Sequence, residues 1–255
     1  MSASPAKPAI LIAAQHLAQT HHANYDPSHD LHHVQRVRLL SLSIARSLSP
    51  QPDLLVVELA ALFHDLLDTK YLPPRASTKA RDVLKGFWEQ HGHQVEDDRR
   101  TLTEKVVENV SYSKEKKRIS EGKQTEWHET CTELHCVQDA DKLDAIGAFG
   151  ILRCAAYSAI TSRPLYLPSA PPSLSTSDPD LLPRNSTDDS AIAHFHDKLF
   201  HLQGMMKTPK GRELARKRTE TMRSFVGEVE REWAEAVGEQ SGVGCAVSQE
   251  GSETE

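Results

Sequence analysis

The chain has 255 residues, of which 38% are hydrophobic and 26% charged, and its formal net charge is −6. This composition is typical of a soluble globular protein with one sizeable core. The acidic balance argues against duplex nucleic acid as a partner, because such binding rests on lysine and arginine contacts to phosphates. No apolar run approaches the roughly 20 residues of a membrane span, and no cleavage signature marks a signal peptide. We therefore expect a cytoplasmic protein, with the nucleus also open to it, no membrane partner, and reduced cysteines.

Helical periodicity recurs along the chain, whereas strand patterns are nearly absent. Breakers such as "SPQPD" and "KTPKG" separate the apolar stripes. The predicted helices lie near 8–22, 29–48, 53–69, 76–92, 95–112, 130–159, 188–207 and 209–238. Segments at about 113–129 and 161–189 are predicted to be irregular insertions, the second a long loop rich in proline and serine. We predict one all-α domain over 1–238 and a disordered tail at 239–255.

The second predicted helix begins in "SHDLHHVQRV", which holds three histidines. His33 heads an apolar stripe that continues through Val37 and Leu40, whereas His32 falls on a more polar face. His29 lies four residues before His33 and, on a continuous helix, points in the same direction. We expect His33 to be buried and His32 to lie at the surface or beside a site.

The third predicted helix carries a histidine and two acids at the end of an apolar run, "LAALFHDLLDTK". His64 and Asp68 share a face with the apolar residues, and Asp65 is adjacent to His64. Burying such a pair without partners is costly, and a metal ion is one natural way to satisfy both side chains.

The sixth predicted helix, "VQDADKLDAIGAFGILRCAAY", presents three carboxylates among apolar and small residues. Asp141 and Asp144 share a stripe, but helical phase does not separate Asp139 from Asp141 as a ligand. Two imidazoles and two carboxylates would form an N2O2 set that suits Mn, Fe, Co, Ni, Zn or Mg. Four protein ligands on an octahedral ion leave positions for water and a substrate oxygen.

The ordered motifs "SHDLHHVQRV", "LAALFHDLLDTKY", "VENVSYSK", "VQDADKLDAIGAFGILRCAAY" and "HFHDKLFHLQGMMKTPKGRELARKRTETMRSF" resemble the HD-domain superfamily of metal-dependent phosphohydrolases. Within it they are similar to a branch whose bacterial members are described as nucleotide pyrophosphohydrolases. The resemblance runs from about residue 20 to about residue 235. It implies a helical bundle, one divalent metal ion per chain, and hydrolysis of a phosphate or pyrophosphate bond in a small phosphorylated molecule such as a nucleotide.

The resemblance also implies roles for individual residues. The implied metal ligands are His33, His64, Asp65 and Asp141. Asp68 stands where relatives carry an acid proposed to position or deprotonate the attacking water, and Lys114 stands where a lysine faces the phosphates, so both are expected to be catalytic. The residues expected to contact the substrate are Arg36, His29 and Asp144. Asp144 has two further possible roles, which are pairing with Arg153 and supporting a metal ligand from behind.

Several alternatives remain open at this stage. The histidines and acids could form a polar network without metal, and Asp68 could pair near the end of its helix. A non-catalytic nucleotide-binding sensor would need the same pocket. A di-iron oxygenase on the same scaffold would need extra histidines, and the available ones are His91, His93, His128 and His135. A structural zinc site that combines the last two of these with Cys131 and Cys136 fits no standard spacing. A homodimer is possible.

Overall fold

The computed structural model describes residues 8–23, 25–68, 77–168 and 189–241. The helices are α1 (Ala9–His21), α2 (Leu31–Ala45), α3 (Leu54–Phe63), α4 (Ala80–Val83), α5 (Lys85–His91), α6 (Asp97–Asn109), α7 (Tyr112–Ser120), α8 (Glu126–Thr130), α9 (Thr132–Asp144), α10 (Gly147–Ile160), α11 (Ala191–Asp197) and α12 (Pro209–Ser241). Short 3-10 turns occupy Gly92–Gln94 and Leu199–Met205. No strand occurs within the described ranges, and the all-α prediction is confirmed.

Three helices, α2, α3 and α9, pack against one another at the centre of the fold. The sequence of α3, "LLVVELAALF", is apolar on nearly every side, and each residue from Val56 to Phe63 except Glu58 is fully buried. A helix that is hydrophobic all round belongs inside a protein, which explains the central place of α3. Helix α2 instead buries one stripe, which includes Val34, Val37 and Ile44.

Side-chain caps fix where the central helices begin. Asp30 precedes α2, and its Oδ1 accepts a hydrogen bond from the backbone N–H of His33 at 2.9 Å. Asp53 precedes α3, and its Oδ1 accepts from the N–H of Leu55 at 2.9 Å. Such caps satisfy amide groups that the first helical turn leaves without partners. They therefore set the register of the two helices that bring histidines to the site.

The predicted helix 130–159 is wrong in one respect, because it is two helices, α9 and α10, bent by 66°. Gly147 begins α10 with φ of +76°, a conformation that favours glycine, and a Cβ there would lie 2.9 Å from Arg218. The guanidinium of Arg218 donates to the carbonyl of Leu143, near the end of α9. Among the described residues no single helix is long and apolar enough to cross a membrane, and α9 with α10 meets that criterion only as a bent pair.

The polar segment 113–129, predicted to be irregular, is instead largely helical, since it contains most of α7 and part of α8. Helix α7 has no apolar stripe, and its one buried side chain is Glu115. That carboxylate pairs with Lys142 and Lys207, so an ion-pair cluster holds α7 against the core. At the start of α8, Thr125 and His128 form a reciprocal capping box.

Other predicted boundaries differ by a few residues. Helix α3 ends at Phe63, where a turn follows, whereas the predicted helix continues to 69. The predicted helix 76–92 is divided between α4 and α5. The predicted helix 188–207 is α11 followed by a 3-10 turn. The last helix reaches Ser241 rather than 238. Most of the predicted Pro/Ser-rich insertion and of the predicted tail lies outside the described residues.

Candidate metal centre

Four side chains from three places in the central bundle converge at one point. His33 lies on α2, His64 and Asp65 directly follow α3, and Asp141 lies on α9. The Nε2 atom of His33 lies 3.1 Å from Nε2 of His64, 3.3 Å from Asp65 Oδ2 and 3.6 Å from Asp141 Oδ1. Nε2 of His64 lies 3.3 Å from the same Asp65 oxygen and 3.9 Å from the same Asp141 oxygen. The structure thus brings together all four residues proposed as metal ligands.

Hydrogen bonds at the far side of each ring set the direction of the imidazole lone pairs. Nδ1 of His33 lies 2.7 Å from Asp144 Oδ2, and Nδ1 of His64 lies 2.8 Å from the carbonyl oxygen of Ala61. Both partners are acceptors, so each neutral ring carries its proton on Nδ1 and its lone pair on Nε2. These lone pairs point at each other and at the carboxylates, and Asp65 Oδ2 is buried without a hydrogen-bond partner. One ligand atom from each of His33, His64 and Asp141 lies within 4.8 Å of the other two, a group that could hold a divalent ion. Asp65 Oδ2, 3.3 Å from both Nε2 atoms, is the candidate fourth donor.

The pKa shifts of His64 and Asp65 indicate that the cluster favours positive charge. Burial alone would lower the pKa of His64, but the carboxylates of Asp65 and Asp141 raise it to about 9. Burial would raise the pKa of Asp65, but His64 and His33 hold it well below its usual range. Without metal, the site therefore keeps a proton at neutral pH in the place where a cation is favoured.

Asp144 supports His33 from behind. Its side chain is 1% exposed, and its Oδ1 accepts from Arg36 Nε at 2.7 Å, while Oδ2 accepts from Arg36 Nη2 at 3.0 Å and Arg153 Nη1 at 3.2 Å. Burial would raise the pKa of Asp144, but His33 and Arg36 keep it far below its usual range. Arg36 also stacks on Phe149, with its guanidinium carbon 4.3 Å from the ring centroid. Asp144 contacts Nδ1 of His33, the ring nitrogen that faces away from the cluster, and Arg36 contacts Asp144. Neither residue lines the cavity, whereas both were expected to contact the substrate.

Asp139, the alternative fourth ligand, binds the backbone of the segment before α12 instead of facing the histidines. Its Oδ2 accepts from the backbone N–H of Thr208 at 2.8 Å and from the Thr208 hydroxyl at 2.7 Å, and its Oδ1 accepts from the Lys207 N–H at 3.0 Å. A Cβ at Gly211 would lie 2.3 Å from the same carboxylate, which shows how closely the first turn of α12 approaches. Asp139 therefore anchors the beginning of α12, and Asp141 is the acid on α9 that faces the histidines.

A cavity of about 310 Å³ opens over the four converging residues. This volume is at the lower end of the range for small-molecule sites. Acidic and basic groups share its wall. Besides the four proposed ligands, its titratable lining residues include His29, Asp68, Lys114, Lys142, Arg153 and Lys198. The cavity therefore combines a site that attracts cations with side chains that attract anions.

Three further predicted residues lie on this wall. Asp68 follows the tight turn after α3, and its N–H donates to the Asp65 carbonyl at 3.0 Å. The Nζ of Lys114, an exposed residue, lies 3.3 Å from the carbonyl oxygen of Glu108. The ring of His29 lies 6.1 Å from that of His33, measured between centroids. His32 is exposed.

Two lysines on the wall were missed by the sequence reasoning. Lys142 is adjacent to Asp141 in sequence, and this adjacency could have placed it near the site. Lys198 lies between two helical segments, where no periodic pattern predicts its direction. Lys142 is 2% exposed, and its Nζ lies 2.6 Å from Glu115 Oε2. Lys207 Nζ lies 2.5 Å from the other oxygen of Glu115, which is 1% exposed. This buried cluster fixes α7 and the segment that leads into α12 against the helix that carries Asp141.

Known proteins are similar to this chain in sequence and in fold. Residues 30–146 match the HD domain family model. A Bacillus subtilis protein, YpgQ, is 33% identical over 204 residues, which cover 80% of this chain and 84% of YpgQ. The chain belongs to the HD-domain family, and the resemblance inferred from the sequence is confirmed.

Several solved structures share the fold. A crystal structure of Bacillus subtilis YpgQ in complex with ADP has a TM-score of 0.63 and 28% identity, covering 87% of this chain and 97% of that chain. A protein from Lactobacillus plantarum has a TM-score of 0.65 and 30% identity, covering 88% and 96%. An HD-superfamily hydrolase from Bacillus thuringiensis shares the fold, with a TM-score of 0.62 at 24% identity over 88% and 96% of the two chains.

Proposed function

We propose that this protein is a metal-dependent phosphohydrolase that cleaves a phosphate or pyrophosphate bond in a small phosphorylated molecule, most simply a nucleotide. The observation that carries this proposal is the cluster of two Nε2 lone pairs and two carboxylates, with one buried oxygen left without a partner. The cluster opens onto a cavity whose wall also carries lysines. Membership in the HD-domain family supports the same reading.

Different residues of the site would bind the metal ion, the attacking water and the phosphate. His33, His64, Asp65 and Asp141 would hold a divalent ion, and such an ion would supply Lewis acidity toward water and a phosphate oxygen. Asp68, on the same wall, orients the attacking water or accepts its proton. Lys114 and Lys198, on the same wall, would neutralise charge on the phosphate during bond cleavage.

A nucleotide is the substrate class that the comparisons favour. The crystal structure of the Bacillus subtilis relative contains ADP, and that relative aligns over most of both chains. The cavity volume of about 310 Å³ is adequate for the phosphates and part of a nucleoside, with the rest reaching the open side.

The histidines required by a di-iron oxygenase lie elsewhere. Nε2 of His128 is 3.1 Å from Asn109 Oδ1, and Nε2 of His135 is 2.9 Å from the backbone oxygen of His128. His91 packs against Phe87, with 5.2 Å between ring centroids. Within the described residues, the group that could hold a metal contains His33, His64 and Asp141, and none of these additional histidines joins it. A single metal site is therefore the better interpretation.

The test is to remove all metal from the purified protein, restore Mn, Co, Mg, Fe, Ni or Zn singly, and measure phosphate and pyrophosphate release from a panel of nucleotides. We expect metal-dependent release by the wild type and none by Asp65→Ala. His32→Ala, an exposed neighbour of the site, is the matched control and should retain activity. Equal inertness of wild type and Asp65→Ala with every metal would refute hydrolysis, and tight nucleotide binding without release would identify a sensor.

A further inference from the structure

The wall of the cavity carries four cationic side chains, Lys114, Lys142, Arg153 and Lys198, whose surroundings differ. Lys142 is buried against Glu115, with 2.6 Å between its Nζ and Oε2. The Nε of Arg153 donates to the Ser28 carbonyl at 2.7 Å, and its Nη1 donates to Asp144 at 3.2 Å. Lys114 is exposed on the first turn of α7. Lys198 is half-buried and reaches the wall from another part of the fold.

Lys198 stands at the junction between α11, which ends at Asp197, and the 3-10 turn that follows. Its backbone φ of −137° and ψ of −55° depart from helical values, so the chain changes direction at this residue. Its ammonium lies 4.9 Å from the ring centroid of Tyr112, the first residue of α7, and both side chains line the cavity. The pair therefore joins two elements that are far apart in sequence at the wall of the proposed active site.

We propose that Lys198 is a substrate-binding residue that donates a hydrogen bond to a phosphate oxygen, and that Tyr112 is the positioning residue that holds its ammonium at the cavity. This inference rests on the proposed function, because it requires a phosphorylated ligand. A lysine ammonium is a compact charge with three donors, which suits a phosphate oxygen.

Cationic side chains from two elements that are distant in sequence therefore reach the cavity. Lys114 comes from α7, and Lys198 comes from the segment after α11. The metal ligands lie on α2, α9 and the turn after α3. A phosphate in the cavity is thus reached by donors from independent elements, which fixes its orientation as well as its charge.

The experiment is calorimetric titration of the Mn-loaded full-length protein with ADP and, separately, with inorganic pyrophosphate. Lys198→Met keeps the alkyl chain and removes the charge, and we expect it to weaken both ligands about 10- to 100-fold, the range of one charge-assisted hydrogen bond. Mn affinity should stay at the wild-type value. Tyr112→Leu should weaken binding less than Lys198→Met and raise KM more than it lowers kcat, whereas Tyr112→Phe, which keeps the ring, should restore binding.

Lys105 provides a matched control. Its ammonium lies 3.9 Å from the ring centroid of Trp127, an equivalent cation–π pair, but neither residue lines the cavity. Lys105→Met should bind both ligands as the wild type does. The inference is overturned if Lys198→Met also binds like the wild type, if Lys105→Met weakens binding equally, or if the wild type binds neither ligand. If the wild type binds ADP without hydrolysing it and Lys198→Met loses that binding, hydrolysis is refuted but the binding role of Lys198 is supported.

Discussion

Replacing Asp144 with asparagine tests whether this buried carboxylate sets the metal-binding geometry of His33. One carboxylate accepts hydrogen bonds from His33 Nδ1 at 2.7 Å, from Arg36 Nε at 2.7 Å and from Arg153 Nη1 at 3.2 Å. Asparagine has the same shape but only one acceptor oxygen, so its NH2 group must face at least one of these donors. Either the imidazole loses the acceptor that orients it, or the guanidinium groups lose their counter-charge.

The expected loss in metal affinity follows from the position of Asp144. Partners that orient a metal-binding histidine typically contribute 10- to 100-fold in affinity, which corresponds to about 1.4–2.7 kcal/mol. The variant should also be less stable, because removing one member of a buried ion pair costs about 3–5 kcal/mol. Affinity and stability must therefore be measured separately.

The assay is competition for Mn or Co against a metal-binding dye, below the unfolding temperature of every variant. Glu58→Gln is the matched control, because Glu58 is a largely buried carboxylate that accepts from Arg38 Nε at 2.8 Å and links α3 to α2 without contacting a proposed ligand. We expect Glu58→Gln to lose stability but keep its metal affinity. Wild-type metal affinity in Asp144→Asn, with a comparable loss of stability, would show that Asp144 has only a structural role.

Two further predictions concern single histidines and a buried acid. His33→Ala should lose bound metal in elemental analysis, whereas His32→Ala should keep it; equal metal content in both would refute the assignment of His33. Burial alone would raise the pKa of Glu115, but Lys142 and Lys207 lower that pKa below its ordinary 4.5. The ionised carboxylate therefore stabilises the folded state fully above pH 4.5. This stabilisation is lost as the pH falls through the lower pKa of the folded state. Urea unfolding should show the stability advantage of wild type over Glu115→Gln shrinking as the pH falls below 4.5, and an unchanged difference would contradict this.

The convergence of the proposed ligands was predictable to the extent that it depends on helical phase. His33 heads an apolar stripe and therefore faces the core, and the apolar run before His64 and Asp65 requires a buried position nearby. Phase could not decide between Asp139 and Asp141, because the decision depends on a distant segment. Asp139 is occupied by the backbone N–H groups of Lys207 and Thr208, and nothing in the local sequence shows that pairing.

Helix α7 was missed for a related reason. Periodicity detects buried apolar residues, and the segment "SKEKKRIS" has almost none. The residue that fixes α7 to the core is Glu115, which is buried between Lys142 and Lys207. A charged residue in a charged run is usually solvated, so its burial becomes visible only when the partner lysines from α9 and the start of α12 are in place.

The bend between α9 and α10, also missed, is a requirement of the site. Asp144 and Arg153 are nine positions apart, and in a straight α-helix they would be separated by roughly 13 Å along the axis. Their side chains could not meet at that separation, yet Arg153 Nη1 lies 3.2 Å from Asp144 Oδ2. The 66° bend at Gly147 brings them together and lets Arg153 Nε donate to the carbonyl of Ser28, next to His29. A glycine that interrupts a predicted helix thus allows α10 to hold both the carboxylate behind His33 and the segment that leads into α2.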